Sequence, residues 1–302
     1  MKQRSIGMSF QEFCEVFPTE EACRKKLFQM RWPEGYVCPK CGGKEYGYHE
    51  GKNAYQCKDK YCRHQGSLTA GTIMERTHLP IKIWFWAIFL MAADKRGTSA
   101  TYLSRTLKIR YKSAWLLLQK LRSAMGNRDV QYLLNGIVEF DDTYFGGPTK
   151  GGKRGRGTSK TKVLVAFSKD AMGKPQHLKM RVVPNLKGKT VGNFAQDTIA
   201  EKTIIETDAY RSYRKPLSEK YNHKWDVYES NAEMLAWLHT IVSNAKAFVQ
   251  GTFHGLDRLH LQRYLDEFCW RLNRRHREDS IFFDLLRTVI CAPKTSYADL
   301  KG

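Results

Sequence analysis

Two thiols in Cys38-Pro-Lys-Cys41-Gly42-Gly43, and two more at Cys57 and Cys62, are the residues whose spacing first suggests chemistry. The first pair sits in a tight turn whose glycines free backbone N–H groups to bond sulfur, so both thiolates converge on one ion. The second pair follows a gap of fifteen residues and has four intervening residues instead of two, which leaves His64 as a substitute ligand. Four cysteines fill a tetrahedral Zn2+ shell and leave no position for water, so the expected zinc is structural. Four unrelated core thiols are the other reading, and this spacing disfavours it. Cys14, Cys23, Cys269 and Cys291 scatter among apolar or helical neighbours, which points to core thiols and not to a disulfide framework.

A second set of candidates is anionic. In Val138-Glu139-Phe140-Asp141-Asp142-Thr143-Tyr144 alternate side chains of a strand share a face, so Glu139 and Asp141 point one way and Phe140 and Asp142 the other. Only one set faces a metal. Asp208 ends another apolar run, Ile204-Ile205-Glu206-Thr207-Asp208. Carboxylates on adjacent strands are how proteins hold hard divalent cations, which activate a nucleophile and stabilise the leaving oxygen of a phosphodiester. Each acid alone is also explained as a solvated strand end.

The partner expected from charge is a polyanion. The 302 residues carry 51 Lys plus Arg against 30 Asp plus Glu, a formal charge of +21, with an ordinary hydrophobic fraction of 42%. Nucleic acid is the first candidate, because each neutralised phosphate releases counterions. An anionic membrane is the rival, but the longest apolar run, Ile83 to Ala93, falls short of the roughly 20 residues a spanning helix needs. The first residues lack the apolar core of a signal peptide, so the expected location is cytoplasmic and nucleoid-associated, with no membrane partner. Gly147 to Lys153 nearly spells a phosphate-binding loop, yet Arg154 stands where Ser or Thr should ligate Mg2+. Lys150, Lys153, Arg154, Arg156, Lys160 and Lys162 read instead as a DNA-backbone arm.

The elements that must position these groups fall into four segments. Residues 1–32 form a helical lead-in, with Phe10, Phe13, Val16 and Phe17 at helical spacing before Pro18. Residues 33–78 suit short hairpins around zinc. In 79–128, a buried scaffold helix from Ile81 to Lys95 precedes two helices, Ala100 to Thr106 and one from Tyr111, around the turn Leu107-Lys108-Ile109. That is a helix-turn-helix pattern whose second helix carries Lys112, Lys120 and Arg122 as candidate DNA contacts. A plain three-helix bundle is the alternative. Residues 134–292 alternate strands and helices: three strands from Gly136 to Val183, a helix near Val191 to Ile199, then strands at Ile204 and Trp225. The expected fold class is α/β, a mixed sheet flanked by helices.

Taken together, the knuckles, Gly71-Thr72-Ile73 with Thr77, Gly97 to Met125, Val138-Glu139-Phe140-Asp141-Asp142-Thr143-Tyr144-Phe145-Gly146-Gly147, Thr207-Asp208-Ala209-Tyr210, Gly251-Thr252-Phe253-His254 and the tail from His260 to Arg275 resemble the zinc-ribbon insertion-sequence transposases of the ISXO-like group, related to Merlin elements. The resemblance runs from about Phe10 to Arg277. It implies an RNase H-like fold whose first two catalytic metal ligands fall on Asp141 and Asp208. At the third position, where many relatives carry Glu, it places His239, with Lys246 seven residues later.

Helix geometry supports that placement. Ser230-Asn231-Ala232-Glu233 reads as a capping box, and Met234, Leu235, Leu238, Ile241, Val242, Ala245, Phe248 and Val249 form an apolar stripe. His239 and Lys246 lie within about 20° of each other on its border, whereas Glu233 points about 120° away. A core-edge histidine without a ligand role is the alternative. The resemblance implies an enzyme of the DDE type in a DDH variant, acting as a homodimer or higher oligomer on double-stranded DNA, both transposon ends with inverted repeats and target. Mg2+ or Mn2+ would serve strand cleavage and strand transfer. A non-catalytic DNA-binding regulator derived from a transposase, and a nuclease that cuts without joining, are the alternatives.

Overall fold

A computed structural model describes residues 7–147, 151, 157–227 and 235–301. Of the expected DNA-backbone arm, Lys150, Lys153, Arg154 and Arg156 lie outside the described residues, as does the expected capping box with Glu233. The chain divides into two compact units, one formed by Met1–Arg128 with Arg277–Gly302, the other by Asp129–His276.

In the first unit, α1 (Phe10–Val16) starts at Ser9, whose hydroxyl and the Glu12 carboxylate form a reciprocal capping box. Helix α2 (Glu20–Arg31) leads to a three-stranded antiparallel sheet of β1 (Tyr46–His49), β2 (Ala54–Cys57) and β3 (Gln65–Ser67). Helix α3 (Ile81–Ala93) is the expected scaffold, with Trp84, Phe85, Ile88 and Met91 buried. Pro80 cannot cap it, and the carboxylate of Glu20 does so by accepting the N–H groups of Ile81 at 2.9 Å and Lys82 at 2.8 Å. Helices α4 (Ala100–Leu107) and α5 (Tyr111–Asp129) flank a turn in which Lys108 adopts the left-handed conformation, φ 51°.

The second unit holds a five-stranded sheet. Strands β4 (Ile137–Phe145), β5 (Thr161–Lys169) and β6 (Pro175–Val183) form an antiparallel meander. Gly136 opens it at φ 82°, where a Cβ would stand 2.8 Å from the carbonyl oxygen of Lys169, so glycine is required. Helix α6 (Gly188–Thr198) crosses to β7 (Ile204–Asp208), which pairs parallel with β4; α7 (Arg211–Ser218) crosses to β8 (Asn222–Asp226), parallel to β7. The order β6-β5-β4-β7-β8, with only β5 antiparallel, is that of an RNase H-like sheet.

Strand alternation assigns the two faces. Phe140, Val138, Leu164 and Ala166 pack against α6 and α7. Val163, Val165 and Phe167 join the core of α8 (Ala236–Thr252) and α9 (Leu261–Leu272) on the opposite face. Helix α9 also seals an edge strand. The Gln262 side chain accepts from the Val182 amide at 2.7 Å and donates to the Met180 carbonyl at 3.0 Å, and Asn273 brackets Leu178 in the same way at 2.7 and 3.1 Å. Side-chain amides thus take up the bonds that a further strand would otherwise make.

Helices α10 (Ile281–Cys291) and α11 (Tyr297–Lys301) close the chain. Sequence periodicity places 277–292 with the sheet, whereas α10 packs on α2 and α3 in the first unit, its Phe282 ring 5.7 Å from Phe13 and 5.6 Å from Phe17. Among the described residues no helix is long and apolar enough to cross a membrane.

Candidate active site and zinc-binding site

The first knuckle is built by backbone geometry. Gly42 takes φ 76°, its amide reaches the Cys38 carbonyl at 2.9 Å, and the Gly43 amide donates to Cys41 Sγ at 3.4 Å. The longer second knuckle is folded by Asp59, whose carboxylate accepts the amides of Tyr61 and Cys62, both at 2.9 Å. All four sulfurs lie within 4.8 Å of one another, with Cys38 to Cys62 at 3.7 Å and Cys41 to Cys57 at 3.6 Å. A zinc–sulfur tetrahedron with bonds of about 2.3 Å has edges of about 3.8 Å. The four thiols therefore fit one structural zinc, and His64 is not among them. Burial pushes the Cys38 thiol up, but the amides of Cys41 and Lys40 and the neighbouring thiols outweigh it and bring Cys38 down to about 6, while Cys57 and Cys62 are raised beside it, so one thiolate is favoured before metal joins the other three.

Helix α5 corrects two expected DNA contacts. Lys120 is only 8% exposed and donates to the Ile73 carbonyl at 2.8 Å, while Arg122 is 1% exposed and donates to the Thr98 carbonyl at 3.1 Å. Both cations face inward because α5 is covered on most sides beyond its first turn, and the carbonyls of these two loops need donors. Lys112 is exposed, next in sequence to the exposed Arg110 and Tyr111.

On β4, Glu139 and Asp141 face α8, while the Asp142 carboxylate accepts the Tyr213 hydroxyl at 2.6 Å on the α7 side. This resolves which carboxylates share a face with the candidate site. Asp141 Oδ1 accepts the Asp142 amide at 2.7 Å, and Oδ2 lies 3.8 Å from His239 Nε2. Burial raises the pKa of Asp141, with Asp142 and Asp208 adding to the rise and His239 opposing it. His239 is raised in turn, by Asp141 above all, against the opposite pull of burial. Asp208 closes β7, the parallel neighbour of β4, and its Oδ1 accepts the Tyr210 amide at 3.0 Å.

Ligand atoms around one divalent cation with bonds of about 2.0–2.2 Å stand about 3–4 Å apart. The Asp141 to His239 gap of 3.8 Å meets that condition. Asp208 does not complete a set of three at that spacing, since among the described residues the four thiols are the one group of three or more ligand atoms that all lie within 4.8 Å of one another. Lys246, two turns beyond His239 on α8, is half-buried, and burial together with the charge of Lys160 lowers its pKa. The charge of the expected arm residue Lys160 is thus felt at Lys246.

Sequence reading passed over two features here. Asp226 is the register partner of Asp208 on β8, and the parallel between Glu206-Thr207-Asp208 and Lys224-Trp225-Asp226 was its signal. Glu139 was placed on the right face, but its partners were not. Glu267, which follows Asp266 on α9, is buried, and its Oε1 accepts from Arg271 at 3.0 Å.

A four-thiol ribbon ahead of an RNase H-like sheet with facing carboxylates is the build of a zinc-ribbon transposase. The chain belongs to that family: residues 133–273 match the ISXO2-like transposase domain and residues 18–65 the transposase zinc-ribbon domain. It is 26% identical over 223 residues, covering 68% of this chain and 72% of the relative, to an uncharacterized protein in transposable element ISH50 of Halobacterium salinarum. Among solved structures, the Mos1 strand transfer complex is similar at 11% identity and a TM-score of 0.28, over 70% of this chain and 78% of that one. The Mos1 mariner paired end complex with Mn gives 11% and 0.26, over 67% and 76%. Those scores are low, and the fold assignment rests on the sheet order itself.

Proposed function

We propose that this transposase is catalytically competent and cuts and joins DNA strands at the inverted-repeat ends of its element, with Asp141, Asp208 and His239 as the ligand set of a DDH variant. The observation that carries the reading is the approach of His239 Nε2 to Asp141 Oδ2, 3.8 Å apart on elements from distant parts of the chain. Mg2+ or Mn2+ held there supplies activation of a water or 3′-hydroxyl nucleophile and neutralises charge on the phosphodiester.

The protein's own residues do the rest. Asp141 and Asp208 present carboxylate oxygens from the sheet, and His239 presents a neutral nitrogen from α8. Lys246 and Lys160, whose charges act on each other, hold a phosphate of the bound strand. The zinc ribbon and the first turn of α5, with Arg110, Tyr111 and Lys112, grip double-stranded DNA, and a homodimer or higher assembly holds two ends. No covalent protein–DNA intermediate is required.

The test is cleavage of a labelled end duplex by Asp141→Ala and Asp208→Ala. Both are expected to lose cleavage while retaining end binding. Cleavage at the wild-type rate by either protein in Mg2+ would overturn the ligand set.

A further inference from the structure

We propose that Glu139 is the positioning residue of this site, fixing the distance from His239 to Asp141 by tying the first turn of α8 to β4. The inference rests on the ligand set proposed above. Glu139 is 2% exposed and stands two residues before Asp141 on the same strand face. Its Oε2 accepts the amide of Leu238 at 2.9 Å, and Leu238 directly precedes His239. Its Oε1 accepts from Lys169 Nζ at 2.8 Å.

The N-cap residue of helix α8 makes no side-chain hydrogen bond. Leu235 occupies the N-cap position in the left-handed conformation, φ 58°, and offers no side-chain acceptor. The unpaired amides of a helix start favour a carboxylate, through hydrogen bonding and through the helix dipole. Here a carboxylate from the strand carrying Asp141 accepts the Leu238 amide. His239 is the next residue after the anchored amide, and Asp141 is the second after the anchoring acid, so little flexible chain lies within the link.

Lys169 completes the device. Its Nζ also reaches Glu206 Oε2 at 2.9 Å, and Glu206 is the register partner of Glu139 and stands two residues before Asp208. Behind each candidate ligand aspartate there is thus a glutamate on the same face, and the two glutamates share one ammonium group. Lys169 is a built-in cation that satisfies the rear pair, which leaves the front pair for the metal. Groups behind a ligand that hold it in place commonly contribute about 10–100-fold to metal affinity.

The experiment is calorimetric Mn2+ binding to the full chain at fixed pH, with thermal midpoint and the Mn2+ to Mg2+ cleavage ratio measured on the same samples. Glu139→Gln keeps an acceptor for the Leu238 amide and is expected to bind Mn2+ close to wild type. Glu139→Ala, and Glu139→Asp, which is too short to reach the amide, are expected to bind about 10–100-fold more weakly and to shift the rate ratio toward Mg2+, because imidazole is the ligand displaced. Glu20→Ala removes the same kind of cap from α3 and serves as the comparator for a merely structural role; it should lower the midpoint without changing Mn2+ affinity. Wild-type Mn2+ affinity in Glu139→Asp or in folded Glu139→Ala overturns the proposal, as does Glu139→Gln binding as weakly as Glu139→Asp. Asp141→Ala separates the two levels: undiminished Mn2+ binding there removes the ligand set itself, whereas loss there beside wild-type binding in Glu139→Asp removes only the positioning role.

Discussion

His239 Nε2 and Asp141 Oδ2 face each other across 3.8 Å, one on helix α8 and the other on the central strand β4. At that separation one cation fits between them, or one proton is shared through a small adjustment. The balance between metal and proton governs the first two predictions.

Replacing an anionic ligand by imidazole favours Mn2+ and later transition metals over Mg2+, which prefers oxygen. Cleavage by the wild type is therefore expected to be faster in Mn2+. His239→Ala should lose cleavage in both metals, and His239→Glu should regain part of it with preference moved toward Mg2+. Rates for the three proteins on one labelled end duplex decide this, and wild-type turnover by His239→Ala would reduce the histidine to a packing residue.

The contribution of the Asp141–His239 pair to the stability of the metal-free protein, read as the difference from His239→Gln, should be larger at pH 6 than at pH 8. Both Asp141 and His239 have pKa values raised by folding, so this pair binds more protons in the folded chain than in the unfolded chain in the window above their ordinary values. Their contribution then falls as pH rises through the folded values. Metal binding needs the deprotonated pair, so protection by Mn2+ should run the opposite way and be larger at pH 8. Thermal midpoints with and without Mn2+ across this range give the answer, and His239→Gln should flatten both trends.

Surface and interior cations of α5 should separate cleanly. Lys112→Ala is expected to weaken duplex binding and lower the salt slope by about one, with an unchanged thermal midpoint. Lys120→Met and Arg122→Met should instead lower stability by about 1.5–3 kcal/mol each, because each leaves a loop carbonyl without its donor. Denaturant unfolding beside salt-dependent DNA binding tests both halves. Equal stability losses in all three variants would contradict the burial pattern.

One zinc per chain is expected to co-purify, and Cys38→Ser combined with Cys41→Ser should remove it. The ribbon should lose cooperative unfolding with the metal, since structural zinc binding and folding are coupled. Metal analysis of the double variant tests this, and full retention of zinc would rule out the four-thiol site.

The sequence made the site legible where chemistry is local. The thiol spacing located the ribbon, and the period of two put Glu139 with Asp141 and Phe140 with Asp142, as the contacts to α8 and Tyr213 bear out. Lys120 and Arg122 were misread because a cation within an apolar helix announces nothing about its surroundings. The acceptors that draw them inward belong to Ile73 and Thr98, far away in sequence. The roles of Glu139 and Lys169 were hidden for the same reason, since the Leu238 amide becomes their neighbour only once α8 lies on the sheet.

Helix α10 gives the chain a nested order, in which the contiguous segment Asp129–His276 interrupts the unit formed by Met1–Arg128 and Arg277–Gly302. The ring of Phe282 sits among Phe13, Phe17 and Phe85, at 5.7, 5.6 and 6.2 Å. During synthesis the ribosome releases every strand of the five-stranded sheet before it releases this aromatic plug. The interrupted unit is therefore expected to stay loosely packed until α10 emerges, so that a nascent chain forms its carboxylate-bearing sheet first and a firm grip on DNA only afterwards.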